Sequence, residues 1–393
     1  AEQINALGFC VGGTMLGSAE LAKASRTVSF KVTGTGFNPA KIERALSGNI
    51  NFRLNGRFEI PGDGPVGWSI KADVYNSTFQ KRPLTADVDA ALSNELIKIN
   101  SLSARGNGFS LNARGTVQER VALLVRIDDA AKIWPGTTGT LAAHGWTRWR
   151  DNEFAGALTA HGSNIALGTL LVRSFDADIK MPEGYDGPVA VGITANKFSY
   201  GVIKGDAVNL TVNGTMDDHT ISFVNTHAKD RIEAFARGAY SDGAWEGTLV
   251  RMSGREALYG NFDLQKPSTV RIASDGVSLS PFVIAGPGSE MLKLNARLKF
   301  DPLIGSVDAE WRNINLGRAN KAMGNARLEG HTSGNSRVEW LKNDRLIIKG
   351  TFTGTAAYSH GPIKQLKADI DSRIDWNASG LNGTLNVDLG NRG

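Results

Sequence analysis

The stretch LNARG, residues 111–115, alternates apolar and polar side chains and ends on glycine. In an extended strand, residues two positions apart lie on the same face. Leu111, Ala113 and Gly115 therefore share one face, while Asn112 and Arg114 point to water. This alternation is typical of antiparallel sheets that have one wet side. The stretch predicts a strand whose glycine continues the apolar row instead of interrupting it.

Nine further stretches share this pattern, and we call all ten the glycine-terminated segments: FKVTG (30–34), FRLNG (52–56), LSARG (102–106), LNARG (111–115), LAAHG (141–145), LTAHG (158–162), LTVNG (210–214), AFARG (234–238), ARLEG (326–330) and LIIKG (346–350). The residue before the glycine is polar in all ten. Glycine has no side chain to crowd the inside of a bend, so it allows a sheet to curl. The pattern predicts a curved sheet with room left on its concave, apolar side.

The rest of the chain alternates with the same period of two, as in WSIKADV (68–74), LTADVDA (84–90) and LKLNARL (292–298). We expect about 25–30 short strands of this kind. Short helices are predicted at residues 37–48, where Asn38 can cap and Pro39 can begin a helix, and at 128–135 and 317–324. The predicted fold class is all-β: an elongated, curved antiparallel or mixed sheet, with a few very short helices.

The apolar face of this sheet needs a cover, and the predicted helices are too short and too few to supply one. A second sheet could cover it, in a sandwich or a closed barrel. Alternatively, the sheet folds along its length into an open hydrophobic trough that holds an apolar ligand. An acyl chain gains about 0.8 kcal/mol per CH₂ group removed from water, which amounts to roughly 10 kcal/mol for a whole chain.

The composition is that of a folded protein, with 41% hydrophobic and 21% charged residues among 393. The net charge of +5 is spread along the chain without basic runs, which argues against a nucleic-acid partner. A single cysteine, Cys10, excludes an internal disulfide bond. Since no stretch resembles an interdomain linker and the alternation runs to both ends, we expect residues 1–393 to form one continuous segment, an internal fragment of a longer chain.

The sequence contains no recognisable catalytic motif, and we expect neither enzymatic activity nor a cofactor. The six histidines lack the spacing of metal ligands. Acidic pairs such as Asp176 and Asp178 alternate with apolar residues, which places both carboxylates on an outer face. A glycosidase pair or a metal site is therefore not predicted.

Two passages, in this order, resemble the TamB family, within the AsmA-like group of bridge-like lipid transfer proteins. The first runs from LTADVDAALS (84–93) through LSARG and LNARG to DDAAKIWPG (128–136) and GTL (139–141). The second joins WEGTL (245–249) to GNFDL (260–264) and the Lys266-Pro267 pair. The resemblance covers residues 25–270 by these motifs and the remainder by its general alternation.

This resemblance implies a taco-shaped β-sheet, the β-taco, whose hydrophobic groove carries phospholipid between the inner and outer membranes of a bacterium. It implies a periplasmic location, a parent protein anchored in the inner membrane, and an outer-membrane barrel of the Omp85 type, TamA, as partner. It also implies a possible role in outer-membrane protein assembly. Membrane contact would come from parts of the parent protein outside this chain.

From the glycine-terminated segments we predict that twelve residues line the groove and contact phospholipid acyl chains: Phe30, Val32, Phe52, Leu54, Leu102, Leu111, Leu141, Leu158, Leu210, Val212, Leu328 and Ile348. The alternative hypothesis is an outer-membrane β-barrel or a β-helical surface protein such as an adhesin. A membrane barrel needs strands of about 9–11 residues and aromatic girdles, whereas the strands expected here are shorter.

Overall fold

The computed structural model describes residues 2–10, 13–41, 47–60, 66–134, 136–201, 203–256, 260–321, 323, 325–342, 345–361, 363–377 and 380–389. These residues fold almost entirely into β-strands. The chain divides into two compact units, Ala1–Gly205 and Asp206–Gly393. Each unit is described by itself, and the expectation of one continuous segment stays a prediction.

The first unit is a meander in which each strand runs antiparallel to the next. Its strands are β1 (Glu2–Cys10), β2 (Gly13–Ala22), β3 (Thr27–Phe37), β4 (Gly48–Glu59), β5 (Gly67–Phe79), β6 (Arg82–Ser93), β7 (Leu96–Gly106), β8 (Phe109–Thr116), β9 (Arg120–Ile127), β10 (Thr137–Arg150), β11 (Glu153–Leu167), β12 (Leu170–Met181) and β13 (Val189–Tyr200).

The second unit continues in the same manner, with β14 beginning three residues before its boundary. Its strands are β14 (Ile203–Gly214), β15 (His219–His227), β16 (Asp230–Ser241), β17 (Ala244–Glu256), β18 (Gly260–Leu264), β19 (Ser268–Ala273), β20 (Gly276–Ala285), β21 (Met291–Lys299), β22 (Ile304–Asn315), β23 (Arg327–Leu341), β24 (Arg345–His360), β25 (Ile363–Asn377) and β26 (Gly380–Asp388). The short strands β18 and β19 both pair with β17 on one side and with β20 on the other.

Every described strand pairing is antiparallel, so the predicted all-β class is confirmed and its mixed variant is not found. A β-helix stacks parallel strands in successive rungs. The β-helical alternative is therefore wrong for the described residues.

The expected helices are present only as 3-10 helices of three to six residues. Pro39–Lys41 begins where predicted, and the Asn38 Oδ1 atom accepts the Ala40 N–H at 3.1 Å. Gly48, expected to end this helix, instead opens β4, and residues 42–46 lie outside the described residues. The other turns are Ala130–Lys132, capped by Asp129, then Pro287–Ser289 and Leu316–Lys321. Pro135 and Gly324, named in two of the predictions, also lie outside the described residues.

The expectation of short strands is wrong, because all but four of the 26 described strands have at least nine residues. The error comes from treating glycine as a strand end. β11, for example, passes through both Gly156 and Gly162 before it stops at Leu167. This length also removes the argument from strand length against the alternative hypothesis.

Each unit is a single layer of sheet. Substantial contacts join only hydrogen-bonded strands, or a 3-10 helix and a strand beside it. The buried hydrophobic residues are nine alanines and Val121, and no leucine, isoleucine, phenylalanine or tryptophan is buried in the described part of the chain. A sandwich would bury large apolar side chains between its two sheets. The sandwich considered above is therefore not formed by the described residues.

The accessible surface supports the same conclusion. The chain exposes 24430 Å² for a mass of 42.0 kDa. Two separate compact domains of half that mass would together expose about 18,000 Å² by the usual scaling of surface with mass. The chain therefore exposes more surface than two domains with closed cores would. This is expected of a one-layer sheet, in which both faces are open to solvent.

Candidate functional site: an apolar sheet face without a cover

The first unit carries continuous apolar rows that cross its strands at right angles. Cross-strand register places directly opposite one another the residues of a central row, which runs from β2 to β13: Gly17, Val32, Leu54, Ala72, Val88, Leu102, Ala113, Leu123, Gly145, Leu158, Ile179 and Val191. At about 4.8 Å per strand, this row is about 50 Å long. None of its members is charged.

Two more rows, which we call the flanking rows, lie on the same face, both on one side of the central row. The first runs through Met15, Gly34, Phe52, Val74, Ala86, Ala104, Leu111, Val125, Ala143, Ala160, Ala177 and Ile193. The second runs through Leu84, Gly106, Phe109, Ile127, Leu141, Gly162, Phe175 and Ala195. The three rows together form an uncharged strip, which is two residues wide from β2 to β5 and three residues wide from β6 to β13.

The ten glycine-terminated segments have the faces that their sequence predicts. The polar residue before the glycine is exposed in all ten. On the other face, the residues are buried or half-buried except Leu158, which is 36% exposed, and Gly214. Asn112 is half-buried instead of exposed. The alternation therefore predicts correctly which residues lie on which face. The apolar side chains are half-buried because neighbouring side chains of the same face shield them from water.

Seven of the twelve predicted lining residues lie on this strip, and an eighth lies beside it. Val32, Leu54, Leu102 and Leu158 belong to the central row, while Phe52, Leu111 and Leu141 belong to the flanking rows. Phe30 lies on the same face, opposite Gly56.

The other four predicted residues lie on the apolar face of the second unit. One row there joins β14 to β26 without β18, through Gly214, His219, Gly238, Gly247, Val270, Leu279, Ala296, Val307, Val338, Ile348, Trp376 and Leu381. Leu210 and Val212 pair with Phe223 and Ile221, and Leu328 pairs with Tyr358.

The predicted lining residues include only seven of the 32 residues in the three rows, because they were taken only from segments that end in glycine. Val88, Leu123, Val125, Phe175 and Ile193 occupy positions equivalent to the predicted ones. The signal that could have found them is the same period-two alternation, which is clear in LTADVDA (84–90) and in FDADI (175–179).

The space above several glycines is filled, not left empty as the sequence suggested. The cross-strand partners of Gly34, Gly56, Gly106 and Gly162 are Phe52, Phe30, Phe109 and Phe175. In each pair a Cβ on the glycine would collide with the partner's ring. An aromatic ring across a glycine shields the bare backbone and fixes strand register. In these segments phenylalanine rings therefore cover the glycines, and the expectation of free room beside these glycines is wrong.

Other glycines are required by the backbone of the neighbouring strand. A Cβ at Gly145 would collide with the carbonyl oxygen of Ala157 and lie 2.9 Å from the Cα atom of Leu158. Because backbone cannot move aside as a ring can, Gly145→Ala is expected to lower the free energy of unfolding by about 1–3 kcal/mol. At Gly192, where nothing lies within 4 Å, the same change is expected to be neutral or to stabilise by about 0.4–1 kcal/mol. Urea unfolding midpoints of the two variants check this, and equal midpoints would contradict it.

The second unit admits polar groups onto its apolar face. His219 is buried, and its Nδ1 atom lies 2.8 Å from the Thr215 carbonyl oxygen. The Trp245 indole N–H donates to His219 Nε2 at 2.8 Å. Both ring nitrogens of this histidine are thus engaged, as expected of a structural residue. No group of three or more metal-ligating side chains occurs among the described residues.

Charges are confined to the opposite, polar face, where ion pairs connect neighbouring strands. The Asn100 amide donates to Asp89 at 2.9 Å, and with Lys71 at 3.3 Å it holds the pKa of Asp89 below its usual value. Two hydrogen bonds from Arg237, at 2.7 and 2.5 Å, lower the pKa of Asp218. These carboxylates therefore remain ionised, and the polar face keeps its charge.

Two cavities on the described surface open on this polar face. One of about 780 Å³ is lined by Asp308, Arg337, Lys349 and Arg373 among others, and one of about 310 Å³ by His144, Trp146 and Lys180 among others. The lengthwise trough expected from the sequence stays a prediction.

In the described part of the chain, no helix has the length and apolar character needed to cross a membrane. A family model described as TamB, N-terminal domain, matches residues 14–390. The search of curated proteins and the search of solved structures returned no match.

Proposed function

We propose that this chain, which belongs to the TamB family, is a segment of a conduit that moves phospholipid between the inner and outer membranes of a bacterium. The observation that carries the proposal is the uncharged strip of the first unit, which crosses twelve strands and is covered by no other described element of that unit. A sheet buries its apolar face against another element in almost all soluble folds. An uncovered strip of this length calls for an apolar ligand.

Acyl chains match the dimensions and chemistry of the strip. An extended chain of about sixteen carbons is less than half as long as the roughly 50 Å row, so about two lipids fit end to end. Burial of one chain contributes on the order of 10 kcal/mol. No residue of the strip needs to be unique, because contact with hydrocarbon is not directional. A lipid can therefore move along the rows at nearly constant free energy, which is what transport requires.

The remaining features of the proposal follow from the family. The sheet would close lengthwise into a trough around the acyl chains and leave the headgroups in water. The chain would work in the periplasm, without catalysis, as part of a parent protein anchored in the inner membrane. Its partner at the outer membrane would be the Omp85-type barrel TamA.

The test is lipid extraction. The chain purified without detergent is expected to carry at least one phospholipid per molecule, identified by mass spectrometry of an organic extract. An unrelated all-β protein of similar size, produced and purified in parallel, is the control. Lipid content no higher than in that control would refute the conduit.

A role in outer-membrane protein assembly is the second function that the family implies. Such a role depends on free strand edges that pair with an incoming polypeptide, whereas lipid transport depends on the apolar face. A preparation that binds unfolded outer-membrane polypeptides but no lipid would favour this second function.

A further inference from the structure

The polar face of the first unit is interrupted by a contiguous apolar island. Ala122 and Leu124 on β9, Trp146 on β10 and Ala157 on β11 all lie on the face that alternation reserves for polar residues. Ala122 pairs with Trp146, and Trp146 pairs with Ala157. Leu124 is the next residue of β9 on the same face as Ala122. The four residues therefore form one patch, which we call the outer patch.

The outer patch is open to solvent. Leu124 is 51% exposed, which is high for a leucine in the middle of a strand, and Trp146 is half-buried. A depression of about 310 Å³ lies beside Trp146, with Ala157, Thr159 and Lys180 in its wall. Trp146 lies in the interior of β10, on the face opposite the apolar rows.

Cations surround the outer patch. Five basic side chains border it, from Arg114, Arg120, Arg126, Arg148 and Lys180. Two carboxylates form ion pairs with these cations: Asp128 lies 3.8 Å from Arg126, and Asp178 lies 2.7 Å from Lys180. Neither Arg114 nor Arg120 makes an ion pair with any described residue.

Arg120 is held in place by Trp146. Its guanidinium carbon lies 5.0 Å from the centre of the indole ring. This cation–π contact leaves the N–H groups of the guanidinium free to donate, and guanidinium groups bind carboxylates in a bidentate manner. Tryptophan and arginine are also the residues most often found at the energetic centre of protein interfaces.

Lipid conduction leaves the outer patch unexplained, because the patch lies on the other face of the sheet. It is no packing site within the fold either, since no described element covers it. A flat anionic membrane would meet the exposed cations but would not enter a depression between strands. A polypeptide segment can place one apolar side chain in the depression and carboxylates on the surrounding arginines.

We propose that the outer patch binds an acidic segment of a partner protein. An apolar side chain of that segment packs against Leu124 and Trp146, and its Asp or Glu residues pair with Arg114, Arg120 and Arg126. The excess of five basic over two acidic groups selects a negatively charged partner. This proposal does not depend on lipid transport by the opposite face.

Site-specific photocrosslinking in the full-length protein, in the cell that produces it, tests the proposal. A photoreactive phenylalanine analogue replaces Leu124, and in the matched control it replaces Asn55, an exposed residue of the same face on β4. We expect a protein crosslink at position 124 that is absent at position 55, with the crosslinked peptide rich in Asp and Glu. The double variant Arg120→Glu, Arg126→Glu is expected to reduce the crosslink roughly tenfold or more.

Three outcomes would overturn the proposal: adducts with lipid alone at position 124, the same adducts at positions 124 and 55, and a crosslink unchanged by the double charge reversal. A vesicle assay covers the membrane alternative. Flotation of the purified chain with phosphatidylglycerol vesicles, abolished by Leu124→Asp, would assign the outer patch to a membrane surface instead. Circular dichroism of each variant checks that the sheet is retained.

Discussion

Leu54→Asp is expected to reduce lipid binding and transfer about 100-fold while the sheet still folds. Leu54 lies in the central row between Val32 and Ala72. A charged side chain in contact with hydrocarbon costs about 2.5–3.5 kcal/mol, and each 1.4 kcal/mol is a factor of ten. Aspartate is too short to extend its carboxylate into water around an acyl chain. Because the apolar face is open to solvent, the folded protein tolerates the charge. The variant therefore loses lipid binding and not stability.

The matched control is Asn55→Asp, one residue further along the same strand. Asn55 is exposed on the polar face, so the same charge in the same strand meets only water. Transfer of a fluorescent phospholipid between donor and acceptor vesicles measures both variants. Leu111→Arg and its neighbour Asn112→Arg form a second pair with opposite charge. If the two members of each pair transfer lipid equally well, the apolar strip is not the lipid path.

The fold class followed from the sequence because alternation is a local property. Period-two alternation requires only that each residue be apolar or polar, and a run such as LNARG gives five consecutive assignments. A one-residue error would move every side chain to the other face. The exposure of the polar residue in all ten glycine-terminated segments shows that no such slip occurred there.

Strand ends did not follow, because the meaning of a glycine depends on the neighbouring strand. Gly106 ends β7, whereas Gly162 lies inside β11. Both pair with a phenylalanine, Phe109 and Phe175, so the ring contact is the same and only the turn differs. Where a two-residue turn follows the glycine, as at Gly106, the phenylalanine that contacts it is only a few positions further along the chain. Where the glycine lies inside a long strand, as at Gly162, the phenylalanine is distant in sequence, and the local sequence does not reveal it.

The sequence predicted that the candidate site is an apolar sheet face, but it did not predict how the residues of that face are arranged in rows. Leucines before glycines were correctly placed on the apolar face, but the rows that join them depend on register across every hairpin. Bulges change that register, as between Asp89 and Ala90. The outer patch was missed for a related reason. Leu124 and Trp146 look like ordinary apolar residues until the sheet places both on the wet face.

The second large effect is expected from Glu290→Gln, which should destabilise the second unit by about 3 kcal/mol. Glu290 is buried in the connection before β21, and its Oε1 atom accepts the Asn315 N–H at 2.9 Å. The same carboxylate pairs with Arg318, whose side chain is 18% exposed. One residue therefore joins the connection before β21 to the 3-10 helix after β22. Removing its charge takes away the carboxylate that pairs with the half-buried guanidinium of Arg318.

The matched control is Glu339→Gln, which removes a carboxylate at 2.6 Å from Arg337 on the exposed polar face. Exposed pairs contribute about 0–1 kcal/mol, because water and salt screen them. Urea unfolding should therefore separate the two variants clearly. Hydrogen exchange should localise the loss of protection in Glu290→Gln to β22 and the helix Leu316–Lys321. Because apolar replacement of both partners is often neutral or stabilising, the double variant Glu290→Leu, Arg318→Met should recover part of the loss. Equal stability of the two single variants would show that the pair of Glu290 and Arg318 does not stabilise the second unit.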